Sequence, residues 1–322
     1  MQSTIDHRSN FAPRAGFTWS PFKTGRLTIR AGGGVFYQWV ATDILEQLRR
    51  VDGQQQLEIV VENPGFPNPF AGGMATSLPP GRMRLSPMVR LPYFEQASFG
   101  AETFLGKSLE LKVTYFWQRG VHLLRGRNLN APGANSQRLD AESGNIVQVE
   151  DSANSIKHLV NIGLNNLISK RFYWFVNYSW SKAVDDANGA FSLPADNFNL
   201  RAERGPSSED VRHRLNGSLS LGLFKRVRLG TLFNFNSPKP YNITTGADNN
   251  RDTSFNDRPL GVGRNSARGT SHYDLGARLS WSGAFGKRKD SDQSQSGGTV
   301  VTVSRADIGA LASGVEAADK RW

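Results

Sequence analysis

The 322-residue chain contains no cysteine, which excludes both a disulfide framework and a thiolate metal site. No stretch approaches the roughly 20 continuous apolar residues of a membrane helix. Apolar residues make up only 38%, too few for the packed core normally expected of a soluble chain this long. Acids are outnumbered, 28 against 39 Lys and Arg, which leaves a net charge of +11. A polyanion would suit that charge, but the cations are spread through loops and strand ends rather than massed in one block. Nucleic acid is therefore not expected as a partner. The first ten residues, MQSTIDHRSN, lack the apolar core of a signal peptide.

Catalytic constellations are missing too. The histidines His7, His122, His158, His213 and His272 lie far apart, and none falls in an HExxH spacing. There is no GxSxG. Gly32, Gly33 and Gly34 are followed by no helix start of the phosphate-binding kind, so they are expected to mark a bend or bulge within a strand. No catalytic, cofactor or metal residue is assigned, and the chain is not expected to be an enzyme.

What the chain has is alternation. In Phe172 to Lys182, FYWFVNYSWSK, the residues Phe172, Trp174, Val176, Tyr178 and Trp180 share one face of an extended strand. Tyr173, Phe175, Asn177, Ser179 and Ser181 share the other, which turns polar. The same period predicts strands over Asn10–Ser20, Arg26–Gln38, Glu95–Leu105, Ser108–Gln118, Asn154–Ile168, Arg171–Val184, Glu209–Leu223, Arg226–Asn236 and Ser271–Ser282. A short helix is predicted over Thr42–Arg50. Connections alternate short and long, with tight turns at Gly106-Lys107, Ser169-Lys170 and Phe224-Lys225. A Greek-key sandwich has no reason to keep that rhythm, whereas an up-and-down membrane barrel does. Trp19, Tyr37, Trp117, Trp174, Trp180 and Trp281 then read as interfacial aromatics. Past Gly286 the chain turns Ser, Gly and Gln rich, the composition of a poorly ordered segment. Asp307–Ala318 reads as a loose helix.

Several stretches together resemble the barrel of TonB-dependent outer-membrane receptors, in particular the Oar-like group with a carboxypeptidase-regulatory-like domain. They are FAPRAGFTWSPF, the strand pair around Lys107, QRGVHLLRGRNLNAP, NYSWSKAVDD, FNLRAERGPSSEDVRHRL and TGADNN…NDRPLGVGRNS, in this order between about Asn10 and Gly286. The resemblance implies an all-β, antiparallel up-and-down transmembrane barrel of 22 strands, of which about nine are here, in the outer membrane of a Gram-negative bacterium. It also implies an internal plug through which the TonB system drives uptake of a large solute. No plug is visible in these residues, and the chain is expected to be a fragment.

The expected organisation is a partial barrel over 1–286, with extracellular loops at 40–92, 120–153, 185–208 and 237–270. A low-complexity connection on the periplasmic side is expected over 287–322. The expected partners are outer-membrane lipid, the TonB system by way of the plug, and a solute whose binding residues are unknown. A passive porin and a soluble β-rich polyanion-binding protein are the alternatives. Two acidic pairs, Asp185-Asp186 and Glu209-Asp210, are expected to pair with Arg201, Arg204, Arg212 and Arg214. Asp248, Asn250 and Asp252 place oxygens at alternate positions, as calcium loops do. Thr253 stands where such a loop needs Gly, and Pro259 where it needs Glu, so an Asx-rich turn is the competing reading.

Overall fold

The structure, a computed structural model, describes residues 4–6, 10–54, 59–133, 137–166, 171–283 and 300–303. Ten strands form an antiparallel meander: β1 (Arg14–Trp19), β2 (Leu27–Tyr37), β3 (Tyr93–Leu105), β4 (Leu109–Asn128), β5 (Ile146–Asn166), β6 (Phe172–Asp185), β7 (His213–Phe224), β8 (Val227–Asn236), β9 (His272–Trp281) and β10 (Val300–Val303). Each pairs only with its neighbours in sequence, apart from two short added strands, Arg82–Leu85 on β5 and Gly205–Pro206 on β6. The sheet does not close on itself: β1 and β10 are its edges. The helix α1 (Thr42–Arg50) forms where expected.

Alternation along each strand becomes two chemically opposite faces once the register is fixed, because partners across a ladder point the same way. One row runs Trp19, Ile29, Ala101, Val113, Ile162, Tyr178, Leu215, Phe235 and Tyr273 across β1 to β9. The row on one side of it, on the opposite face, runs Thr18, Arg30, Gly100, Thr114, Asn161, Ser179, Arg214, Asn236 and His272. The row on its other side runs Thr28, Glu102, Lys112, Gly163, Asn177, Asn216, Asn234 and Asp274. Neither of those two rows contains an apolar side chain.

The apolar face has no protein against it among the described residues. Leu275 on β9 is 58% exposed, and Phe17, Phe99 and Leu279 are similarly open. Among the described residues no second sheet lies opposite to bury them, as a sandwich would require. On β6 the apolar face runs from Phe172 to Trp180, nine residues, against the roughly 9–11 of a tilted membrane strand.

Four sequence expectations need correction. Half of the irregular segment expected over 120–153 is strand, because β4 continues to Asn128 and β5 begins at Ile146. The ladder is broken near His122 (φ 57°) and Ala153, then resumes at Arg125 opposite Glu150. Beyond that break the hairpin no longer separates an apolar from a polar face, so period-2 reading loses it. Next, β7 starts at His213 rather than Glu209. The Asp210 carboxylate accepts the Ala183 N–H (2.8 Å) and Ser207 N–H bonds the Ala183 carbonyl (3.0 Å), so this stretch caps β6 and does not extend β7. Val211, inside the expected strand, is buried. Third, the glycines of β2 mark no bulge, since its register with β1 and β3 is unbroken. They allow close approach: a Cβ at Gly33 would lie 2.8 Å from the Gln96 carbonyl oxygen. Fourth, Val300–Val303, inside the low-complexity connection expected over 287–322, pairs with β9 as a tenth strand. The turn at Ser169-Lys170 and the helix over 307–318 lie outside the described residues.

Candidate functional site

The long connections fold together into a cap at one end of the sheet. Its apolar core is small: Val89, Leu91, Ile146, Val147, Val149 and Val211, with Val149 fully buried. Arg82–Leu85 adds to β5 in parallel and brings the first long connection into this core.

Charge does most of the joining. The Arg264 guanidinium, from the connection before β9, bonds the Asp185 carboxylate at the end of β6 and the Asn188 side chain. It also reaches the Glu203 carbonyl (3.5 Å) and carboxylate (3.9 Å). Arg258 closes on Glu203 at 2.7 Å, and Glu203 accepts the Ala195 N–H at 3.0 Å. Asp210 is fully buried and holds both Arg212 (2.8 Å) and Arg268 (2.7 Å). Arg125 pairs with Asp186 at 2.8 Å, leaving its Nε and Nη1 without a hydrogen-bond partner among the described residues. Such pairs hold because each ion is taken from water together with its counter-ion and further hydrogen bonds.

The acidic pairs singled out in the sequence are thus structural. Only Arg212 of the four expected arginines binds one of them. The others meet Arg125, Arg264, Arg268 and, at the surface, Lys239 with Glu209 (2.8 Å).

The oxygens of Asp248, Asn250 and Asp252 are turned onto the chain's own donors. Asp248 accepts the N–H groups of Asp252 (2.9 Å) and Thr253 (2.8 Å). Asn250 accepts Asp252 N–H, and Asp252 accepts Ser254 N–H and the Asn197 amide (2.8 Å). Asp257 accepts Asn250 N–H at 3.1 Å. This is an Asx-turn cage, with Thr253 at φ 74° completing the bend. Among the described residues no three His, Asp or Glu stand together as metal ligands. Burial pushes the Asp252 carboxyl up, partly opposed by its hydrogen bonds. The Asp140 carboxyl is held low, first by the Ser143 hydroxyl that it accepts at 2.7 Å.

Below the cap lies the polar face. A concavity of about 330 Å³ is lined by Lys112, Thr114, Asn161, Phe175, Asn177 and Asn216. Lys112 bridges Glu110 (3.3 Å) and Glu102 (3.9 Å), and Arg30 reaches Glu102 at 3.5 Å. The face offers amides, hydroxyls and paired charges. It suits contact with water or a polar solute.

Period 2 found this face, but nothing local in the sequence marks the cap network. Glu203 and Arg264 are 61 positions apart and come together only through the fold.

The fold agrees with known outer-membrane proteins. The transporter YddB of Escherichia coli superposes with a TM-score of 0.60 at 13% identity, over 85% of this chain and 34% of that one. The FrpB iron transporter of Neisseria meningitidis gives 0.51 at 13%, over 84% and 32%. A point mutant of the ferric enterobactin receptor PfeA of Pseudomonas aeruginosa, in complex with enterobactin, gives 0.52 at 14%, over 84% and 33%. The chain therefore spans about a third of the length of these proteins. No curated protein matches the sequence. The model of the outer membrane beta barrel domain matches residues 3–287, nearly the whole meander, and the chain belongs to that family, a membrane barrel of the Gram-negative outer membrane.

Proposed function

We propose that this chain is the outer-membrane barrel segment of a TonB-dependent receptor that takes up a large solute, of the Oar-like group. In this reading its long connections face outward, and the remaining strands and the plug come from sequence outside these 322 residues. Its role is transport, with no reaction catalysed. The observation that carries the proposal is the pair of opposed faces: two wholly polar rows on one side and apolar rows facing lipid on the other, on a meander without a crossover. Similarity in fold to transporters and a ferric enterobactin receptor supports it. The network of buried ion pairs supports a cap rigid enough to hold a solute-binding surface in place.

A passive porin is the second reading, favoured by the same polar face, which would suit a water-filled lumen. The two differ in their energy requirement. Cells carrying the complete reading frame, with TonB present or deleted, are compared by metabolite depletion from a complex medium. Depletion that needs both the receptor and TonB supports the first reading. Depletion that needs the receptor but is equal without TonB sinks it in favour of the porin.

A further inference from the structure

The outward face is apolar over most of its area and changes character near the cap. Between the tight turns and the break in β4–β5, its outward positions on β2 to β9 carry charged groups or histidines only at Glu95, Arg119, His158, Lys182 and His213. All five lie toward the cap. Glu95 is matched by Arg119 at 3.6 Å. Lys182 is exposed and has no ion-pair or hydrogen-bond partner among the described residues. It stands directly across the ladder from His158.

The two histidines occur in the same setting. Tyr115 Oη and His158 Nδ1 are 2.8 Å apart with the rings stacked at 6.2 Å. Tyr178 Oη and His213 Nδ1 are also 2.8 Å apart, stacked at 6.1 Å. Each pair is a diagonal neighbour across a ladder, and each tyrosine is the seventh residue of its strand. In a tilted barrel, equal distance from the turn means equal depth in the membrane. The two pairs therefore lie side by side at one level, with Trp117 and Trp180 two residues nearer the cap. With Nδ1 engaged by tyrosine, Nε2 is the ring nitrogen left open to a ligand in each pair.

Directly below His213, two outward positions further down β7, is Gly217. Its missing side chain leaves an apolar groove walled by Trp174, Val176, Leu215, Leu219 and Phe233. Cations and donors at the rim, with a groove running down from them into the apolar band, match an amphiphile with an anionic head.

We propose that this rim is a binding site for an outer-leaflet lipid with a phosphorylated headgroup: Lys182, His158 and His213 hold the phosphate, and an acyl chain lies in the groove over Gly217. The site is independent of the transported solute. It rests on the reading that the cap faces outward.

The test uses the protein extracted from outer membranes in non-ionic detergent, titrated with diphosphoryl lipid A or with the same lipid stripped of its phosphates, and read by native mass spectrometry. Retention of the phosphorylated lipid is expected, with affinity about tenfold lower in K182Q/H213Q, the loss expected for roughly one charge-assisted hydrogen bond. K182R is expected to bind as the parent does. Equal binding of both lipids, or unchanged binding by the double variant with its heat-modifiable gel mobility intact, overturns the site. Orientation is checked separately. Phe66 is fully exposed in the first long connection and the chain has no cysteine, so F66C on intact cells should take up a membrane-impermeant maleimide. Labelling only after lysis would refute the outward cap while leaving the barrel reading untouched.

Discussion

The strands and the cap bury opposite things. On the strands, large apolar side chains such as Leu275 and Leu279 stand in the open, and the polar residues line the other face. In the cap, Asp210, Glu203 and Arg264 are inside, together with a handful of valines. Each arrangement would be costly in the other's surroundings. An exposed apolar band is stable only against lipid, and a charged interior only where every ion has its counter-ion. Burial by protein is therefore a poor guide to the core of such a molecule, because the solvent differs along its length.

The largest expected effect comes from breaking the cap. Arg264→Ala leaves Asp185 and Glu203 short of a counter-charge, a loss of about 3–5 kcal/mol if it tracks other buried pairs. Hydrogen exchange should rise in 186–204 and 237–271 while β4 to β6 stay protected. Loss of protection in the strands as well would mean that the two regions are one cooperative unit.

Next is a pair of adjacent substitutions on β6. Val176→Lys places a charge in the lipid band and should cost about 2–4 kcal/mol in folding into bilayers. Asn177→Lys, one residue on and facing the polar side, should cost well under about 1 kcal/mol. Equal costs would refute the assignment of faces. Lys239→Ala, which removes an exposed partner of Glu209, should change stability by less than about 1 kcal/mol in the same assay.

The smallest effect is a pH response of opposite sign in two loops of the cap. A raised carboxyl such as Asp252 contributes stability below its ordinary value of about 3.9 and loses it as pH rises through the raised value. A lowered one such as Asp140 contributes above about 3.9 and loses it as pH falls. Acidification should therefore tighten 248–257 and loosen 137–145, read as hydrogen exchange corrected for intrinsic rates. Parallel responses would show that other groups dominate.

The strands were legible because a membrane barrel writes a two-residue period into every crossing, as in Leu109 to Trp117 and Phe172 to Trp180. The cap was not, for three physical reasons. Past the break near His122 the β4–β5 hairpin has cap core rather than lipid against it, so Val147 and Val149 interrupt no pattern that could be read. Asp210 takes a backbone donor that the ladder would otherwise use, which moved the start of β7. Arg264 finds partners from 61 to 79 positions away, a distance that no local rule reaches. The rim histidines did leave a trace. Tyr115-x-Trp117 and Tyr178-x-Trp180 sit at the same step of their strands, and Phe233-x-Phe235 repeats the spacing on β8.

That repetition has a meaning for how such a molecule can change. Because β1 to β10 follow one another across the sheet in chain order, a hairpin is a module with two standard sides. One hairpin can be copied, lost or exchanged, and the strands flanking it meet the same backbone edge as before. The girth of the barrel is then a count of modules, and the connections that join them vary independently of it.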